Sequence, residues 1–175
     1  MPLPISHALI GASIVAAIYP QPINRYFTPL FIGAFLANAA DFDFFFVFLL
    51  QSKAWHRGFS HSILFALLIC LMWILFLGKQ HIRAAVAYGL AFASHFLWDY
   101  LTTKEGGGVE LFWFFSTERF GLGWFGLSEL PSKLPAIGIL KALAVEFLLF
   151  APLLALIIYL RNYVREDLNS TKDSI

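Results

Sequence analysis

Four of the five histidines in this 175-residue chain, together with three aspartates, have types and spacings that could do chemistry: His7, His56, His61, His95, Asp41, Asp43 and Asp99. Imidazole nitrogens and carboxylate oxygens are ligands for divalent cations. The single cysteine, Cys70, lies inside an apolar run, so neither a disulfide framework nor a multi-thiolate zinc site is open to this chain. A His and Asp donor set without thiolate suits zinc, with manganese or iron as alternatives. Such a site with an open position lowers the pKa of bound water from 15.7 to about 7, so hydrolysis by metal-activated water is the natural reaction class.

The local spacing says which residues can act together. His95 and Asp99 in ASHFLWDY are four apart, which stacks them on one helix face and lets both reach one cation or bridge two. Asp41 and Asp43 in NAADFDF are two apart, about 200° round a helix, and cannot both point inward unless the helix breaks there. Asn38 shares a face with Asp41, which makes Asp41 the preferred ligand and leaves Asp43 as an outer base or extra ligand. In AWHRGFSHS, Ser60 is placed to cap a helix with His61 in its first turn, and Gly58 lets the loop bend back to bring His56 near. Arg57 in that loop is placed to hold a phosphate oxygen or transition-state charge.

The elements that must position these groups are apolar. The chain is 59% hydrophobic and 13% charged, against about 25% charged in ordinary soluble domains. Its mean hydropathy is +0.74. These values exclude a soluble globular protein, and a net charge of +1 gives no basic excess for direct nucleic-acid binding. The expected fold is all-α: an integral membrane bundle of about five helices. Candidate spans run over 3–19, 27–50, 59–77, 82–101 and 136–160. Residues 1–160 form one transmembrane domain and 161–175 a polar, frayed tail. The first span follows MPLPIS, which has no basic residue, so it reads as retained rather than as a signal peptide. The segment between the fourth and fifth spans is long and aromatic and is expected to lie on or dip into the membrane surface.

Short connections make the helices alternate up and down, and helix rise then converts position into depth. Asp41 falls roughly 21 Å into the second span, and His95 and Asp99 roughly 20 and 26 Å into the fourth. His7 and His61 open spans that start at that same near face, with His56 just outside. All of them fall in one thin layer. Unpaired aspartates in a span cost about 2.5–3.5 kcal/mol each at mid-bilayer and need a compensating partner. A helix cap or interfacial hydrogen bond is the ordinary reading of any one of these residues. A buried polar network or a proton pathway would also fit the set, but its convergence favours a metal site of one or two ions, ligated by His7, Asp41, His61, His95 and Asp99. In the fifth span Lys141 can snorkel to the near face, whereas Glu146 is either protonated or turned toward the site as a ligand or base.

The near face carries Lys53, Arg57, Lys104, Arg119 and Lys133. The far face carries Arg25, Lys79, Arg83, Arg161, Arg165 and Lys172 in shorter segments. This mildly favours a cytoplasmic far face and a site toward the extracytoplasmic side. Trp55, Trp98, Trp113 and Trp124 fall at the near face as an interfacial belt, with Trp73 toward the other side. The stretch GGGVELFWFFSTERFGLGWFG has the glycines and aromatics of a lid.

The motifs HALIGAS at 7–13, DFDF at 41–44, HRGFSHS at 56–62, HFLWDYLTT at 95–103 and GVELFWFFS at 108–116 resemble the YdjM-like family of bacterial inner-membrane proteins. That resemblance implies a metal-dependent hydrolase of the bacterial inner membrane. More remotely, the order His, Asp, His, then H-x-x-x-D is similar to the ligands of the zinc-dependent phospholipase C and P1-nuclease group. That second likeness implies His7, Asp41, His61, His95 and Asp99 as ligands, with Asp99 as a bridge. The histidines and glutamate that complete a three-metal cluster in that group have no counterpart downstream.

The expected function is therefore a membrane metallohydrolase acting on a phosphodiester or ester of a lipid or lipid-linked substrate, with Arg57, Asp43 and His56 assisting. The alternative is a metal-stabilised, non-catalytic inner-membrane adaptor or stress protein. A carrier is disfavoured because no inverted repeat is present.

Overall fold

The computed structural model describes residues 3–20, 27–103, 107–124 and 136–173; among them the regular secondary structure is helical save for one isolated bridge, and 107–124 is irregular. The α-helices are α1 (Pro4–Ile18), α2 (Thr28–Ala39), α3 (Phe44–Leu50), α4 (Ile63–Leu77), α5 (Ile82–Thr102) and α6 (Ala136–Asp173). The all-α expectation holds. Arg25, Lys104 and Lys133 lie outside the described residues.

Two helical stretches, Thr28–Leu50 and Ile137–Arg165, are long and apolar enough to cross a membrane. A third qualifies if Lys53–His61 and Ile63–Leu77, bent by 52° at their junction, count as one span. Two of the five expected spans fall short for physical reasons. α1 has 15 residues, about 22 Å of rise, which is less than the roughly 30 Å hydrocarbon core. α5 is long enough but is built for the interior. Twelve of its 21 residues are buried, many of them Ala, Gly or Ser, and it carries His95 and Asp99. It packs against α1, α2 and α4, and α1 against α2, α5 and α6, so α1 and α5 form the centre.

α1 is fixed by charges from other helices at both ends. Leu3 and Ser6 donate their free first-turn amides to Glu146 of α6, at 2.7 and 3.1 Å. At the other end, Arg83 donates to the Ile18 carbonyl at 2.9 Å, and Arg161 donates to the carbonyls of Ala16 and Tyr19. A carboxylate at the positive end and guanidinium groups at the negative end match the helix dipole and satisfy groups that the helix leaves unpaired. Glu146 thus caps α1 from α6. Lys141 is exposed.

α1 and α2 cross at glycines. A Cβ on Gly11 would sit 2.4 Å from Ala37 Cβ and 2.5 Å from the Gly33 carbonyl oxygen, and one on Gly33 would sit 2.5 Å from Val15 Cγ2. This approach brings His7, one turn before Gly11, against the chain that follows Ala37. The C-terminal helix also departs from expectation. α6 runs to Asp173, so the polar segment from 161 is an ordered helix rather than a frayed end, in keeping with a sequence there free of Gly and Pro.

Replacing Gly33 with leucine is expected to lower unfolding stability by about 2 kcal/mol or more through overpacking. Phe31→Leu, one helix face away and 73% exposed, should change it by less than about 0.5 kcal/mol. Thermal unfolding of both variants in detergent checks the difference.

Candidate metal centre

The second span breaks where its two aspartates require it. α2 ends at Ala39, a 3-10 turn covers Ala40–Asp43, and α3 resumes at Phe44. The tighter turn points Asp41 and Asp43 to two connected places. The third span starts later than its sequence suggests. Ser62, not Ser60, caps α4 by accepting from the Phe65 amide at 3.1 Å, and His61 stands in the preceding 3-10 turn Phe59–His61. The left-handed residue of the loop is Arg57, at φ 60°, whereas Gly58 has a negative φ. That strain is held from both sides. The Arg57 amide donates to Asp43 Oδ2 at 2.8 Å, and its carbonyl accepts from the Glu110 amide at 3.0 Å.

Two groups of three ligand atoms that share His95, Asp41–His61–His95 and His7–His95–Asp99, meet at the near-face end of α1, α2, α4 and α5. His95 Nε2 lies 3.3 Å from Asp41 Oδ1 and 3.9 Å from Asp99 Oδ2, and His61 Nε2 lies 3.7 and 3.8 Å from the same two oxygens. His7 Nε2 approaches the other Asp99 oxygen, Oδ1, at 3.6 Å, and the His7 ring stacks on His95 with centroids 4.0 Å apart. Arg57 Nε is 3.3 Å from Asp99 Oδ2. His7, His61, His95 and Asp99 are buried to 1% exposure or less, and Asp41 is partly open.

Hydrogen bonds behind the ring nitrogens fix which way their lone pairs face. His95 Nδ1 lies 2.6 Å from the Ala37 carbonyl, which can only accept, so Nδ1 carries a proton and, in the neutral ring, Nε2 presents its lone pair to the cluster. Behind His61, Ser60 Oγ donates to Asp43 Oδ2 at 2.9 Å. His61 Nδ1 is 2.9 Å from that hydroxyl and 3.3 Å from the carboxylate. His61 Nδ1 is therefore also the protonated nitrogen. The Nε2 atoms of His7, His61 and His95, Asp41 Oδ1 and both oxygens of Asp99 are all buried without a hydrogen-bond partner.

Asp43 is a positioning carboxylate. Its Oδ2 accepts from Arg57 and Ser60 and backs His61, while its Oδ1 faces His56 Nδ1 at 3.0 Å. His56 stacks on Phe44 with ring centroids 4.1 Å apart and stays partly exposed beside Asp41. The Ala37 carbonyl could not be foreseen from residue types, since a main-chain acceptor has no residue-type signature.

The aromatic segment after α5 clasps this loop. Val109 pairs with Phe120, Ile63 donates to the Leu111 carbonyl at 3.0 Å, and Arg119 bonds Glu110 Oε1 at 3.1 Å and the Ala54 carbonyl at 2.8 Å. Phe114, Phe115 and Trp124 remain strongly exposed.

A bundle of apolar helices around a buried His and Asp cluster defines a membrane protein class, and comparison with known proteins places the chain within it. Residues 1–166 match the family model described as YdjM inner membrane protein, and the chain belongs to that family. It is 32% identical over 146 residues to the inner membrane protein YbcI of Escherichia coli strain K12, covering 77% of this chain and 80% of that protein. No solved structure matches. The remoter likeness to the phospholipase C and P1-nuclease group gains no support from these comparisons.

In chelator-treated protein, Asp43→Ala should cost about 3 kcal/mol, because the Arg57 amide and Ser60 hydroxyl lose a buried charged acceptor. Asp41→Asn, which removes one of two facing carboxylates, should leave stability unchanged or raise it. Paired thermal melts in chelator report the ordering.

Proposed function

We propose that this protein is a membrane-embedded, multi-pass metal-dependent hydrolase that cleaves a phosphodiester or ester bond of a lipid or lipid-linked molecule. The observation that carries this reading is the set of buried donor atoms without partners, aimed at one another from four helical segments beside a guanidinium. Their separations of 3.3–3.9 Å are near the roughly 3.3 Å edge of a tetrahedron with metal–ligand bonds of about 2.0 Å. Asp41, His61 and His95 would hold a zinc ion, and His7, His95 and Asp99 form an adjoining group of the same ligand types. A zinc ion there supplies a Lewis acid and a water that ionises near neutral pH.

The chain's own residues do the rest. Arg57 orients Asp99 and offers its remaining donors to an anionic oxygen. Asp43 holds the tautomers of His61 and His56 together, and His56, at the partly open edge beside Asp41, is placed to move a proton through Nε2. The cluster lies at the helix ends rather than mid-span, with Phe44, Phe45 and Trp55 exposed around it, at the level where lipid ester and phosphate groups reside. The distribution of Lys and Arg favours the extracytoplasmic side for this end.

A closed, structural metal centre is the second reading. The burial of His61, His95 and Asp99 favours it, whereas the surplus of Arg57, Asp43 and His56 and the open edge at Asp41 favour turnover.

Metal analysis of detergent-purified protein tests the reading. About one equivalent of zinc or more is expected in the wild type, with most of it lost in both His61→Ala and Asp99→Ala. Hydrolysis of lipid phosphodiester or ester panels should then be abolished by chelator and restored by zinc. Full metal content in both variants would refute the ligand assignment. Metal lost in the variants with no turnover on any panel would leave the structural centre.

A further inference from the structure

Away from the metal centre, α4 and α5 leave a lateral groove of about 280 Å³, lined by Ile63, Ala66, Leu67, Cys70, Val86, Gly89, Leu90, Ala93 and Phe96. Its small residues, Ala66, Gly89 and Ala93, form the floor, while the exposed Ile63, Leu67, Val86 and Leu90 stand along the edges. The deep end is closed where α4 and α5 touch, since a Cβ on Gly89 would lie 2.6 Å from Cys70 Cβ. From Ile63 to Cys70 the helix rises about 10 Å.

At its upper end the groove shares Ile63 and Leu67 with a second cavity of about 190 Å³ under Leu111, Phe112, Trp113 and Phe115. That cavity in turn shares Trp113 and Phe115 with a third, which adds Ser116 and Thr117. The track is thus wholly apolar at depth, aromatic at the level of the tryptophans and polar only at its outer end.

We infer that this track is a binding site for one acyl chain of a membrane phospholipid, with the chain between α4 and α5 and under the Leu111–Phe115 turn and the ester region at the outer end by Ser116 and Thr117. The order of surfaces along it matches that of an amphiphile. The shape also selects a chain over a protein helix. Helices that associate in membranes bring small residues to the outer edge so that backbones can approach. Here the small residues are sunk and the bulky ones protrude, so a helix about 10 Å across cannot reach the floor, whereas a single methylene chain can. The Phe59–His61 turn separates this track from the metal centre, so the inference is independent of hydrolysis.

The test is photolabelling in liposomes of phosphatidylglycerol doped with a phospholipid that carries a diazirine on one acyl chain. Peptide mapping should show labelling of Leu67, Cys70 and Leu90 about tenfold above that of Leu148 of α6. Leu148, at 69% exposed against 62% for Leu67, lines none of the three cavities. Ala93→Phe and Ala66→Phe, which fill the floor, should each reduce labelling of the track to the Leu148 level. A diazirine fatty acid without headgroup should label it less than the phospholipid does. Equal labelling of α4, α5 and Leu148 in the wild type would overturn the inference, as would efficient oxidative Cys70–Cys70 cross-linking, which would make a second copy the occupant.

Discussion

In their neutral tautomers two imidazoles turn their lone pairs toward two carboxylates inside an apolar bundle, one carboxylate fully buried and one partly open. The Ala37 carbonyl behind His95, and the Ser60–Asp43 pair behind His61, hold the ring protons on the far nitrogens. Acceptors therefore oppose acceptors at 3.3–3.9 Å. Left without a cation, such a cluster is costly, because buried charges and lone pairs lose their water and gain no partner. Much of the remaining architecture acts to keep that unfavourable arrangement in place.

The break in the second span, the left-handed Arg57 and the glycine crossing of α1 and α2 each relate to this cluster. The 3-10 turn at Ala40–Asp43 lets Asp41 enter the cluster while Asp43 stands behind His61. Arg57 is strained, yet its amide, carbonyl and side chain are all engaged. Gly11 and Gly33 bring α1 close enough for His7 to stack on His95. α1 is too short to cross a bilayer, and Glu146, Arg83 and Arg161 terminate it inside the bundle. A short helix capped by charge at both ends is a means of carrying one histidine to a fixed depth.

The clustering of these side chains was legible in the sequence because depth along alternating helices is a simple linear function of residue number. His7, Asp41, His61, His95 and Asp99 converge as that arithmetic requires, and the 200° offset of Asp41 and Asp43 correctly demanded a break. Less was legible where the decisive partner is main chain or comes from a distant helix. Ser60 has the type and position of an N-cap, but the buried Asp43 competes for its hydroxyl and Ser62 takes the cap. Glu146 looked like an intramembrane acid in search of a role. Only the packing of α6 on α1 shows that two amides absorb it. The polar residues that lower the hydropathy of α5 are the ones that make it the central helix, so a span count based on apolarity underrates it.

The central claim is that these lone pairs meet on a metal ion. X-ray absorption at the zinc edge on protein loaded with one equivalent of zinc addresses it directly. A first shell of about four nitrogen and oxygen ligands near 2.0 Å, with the outer-shell signature of two or more imidazoles and no sulfur, is the expected result. A spectrum of hexaaqua zinc without imidazole scattering, or no stable loading, would contradict the account. The cluster would then be an ionised hydrogen-bond network with protonated histidines in place of the ion.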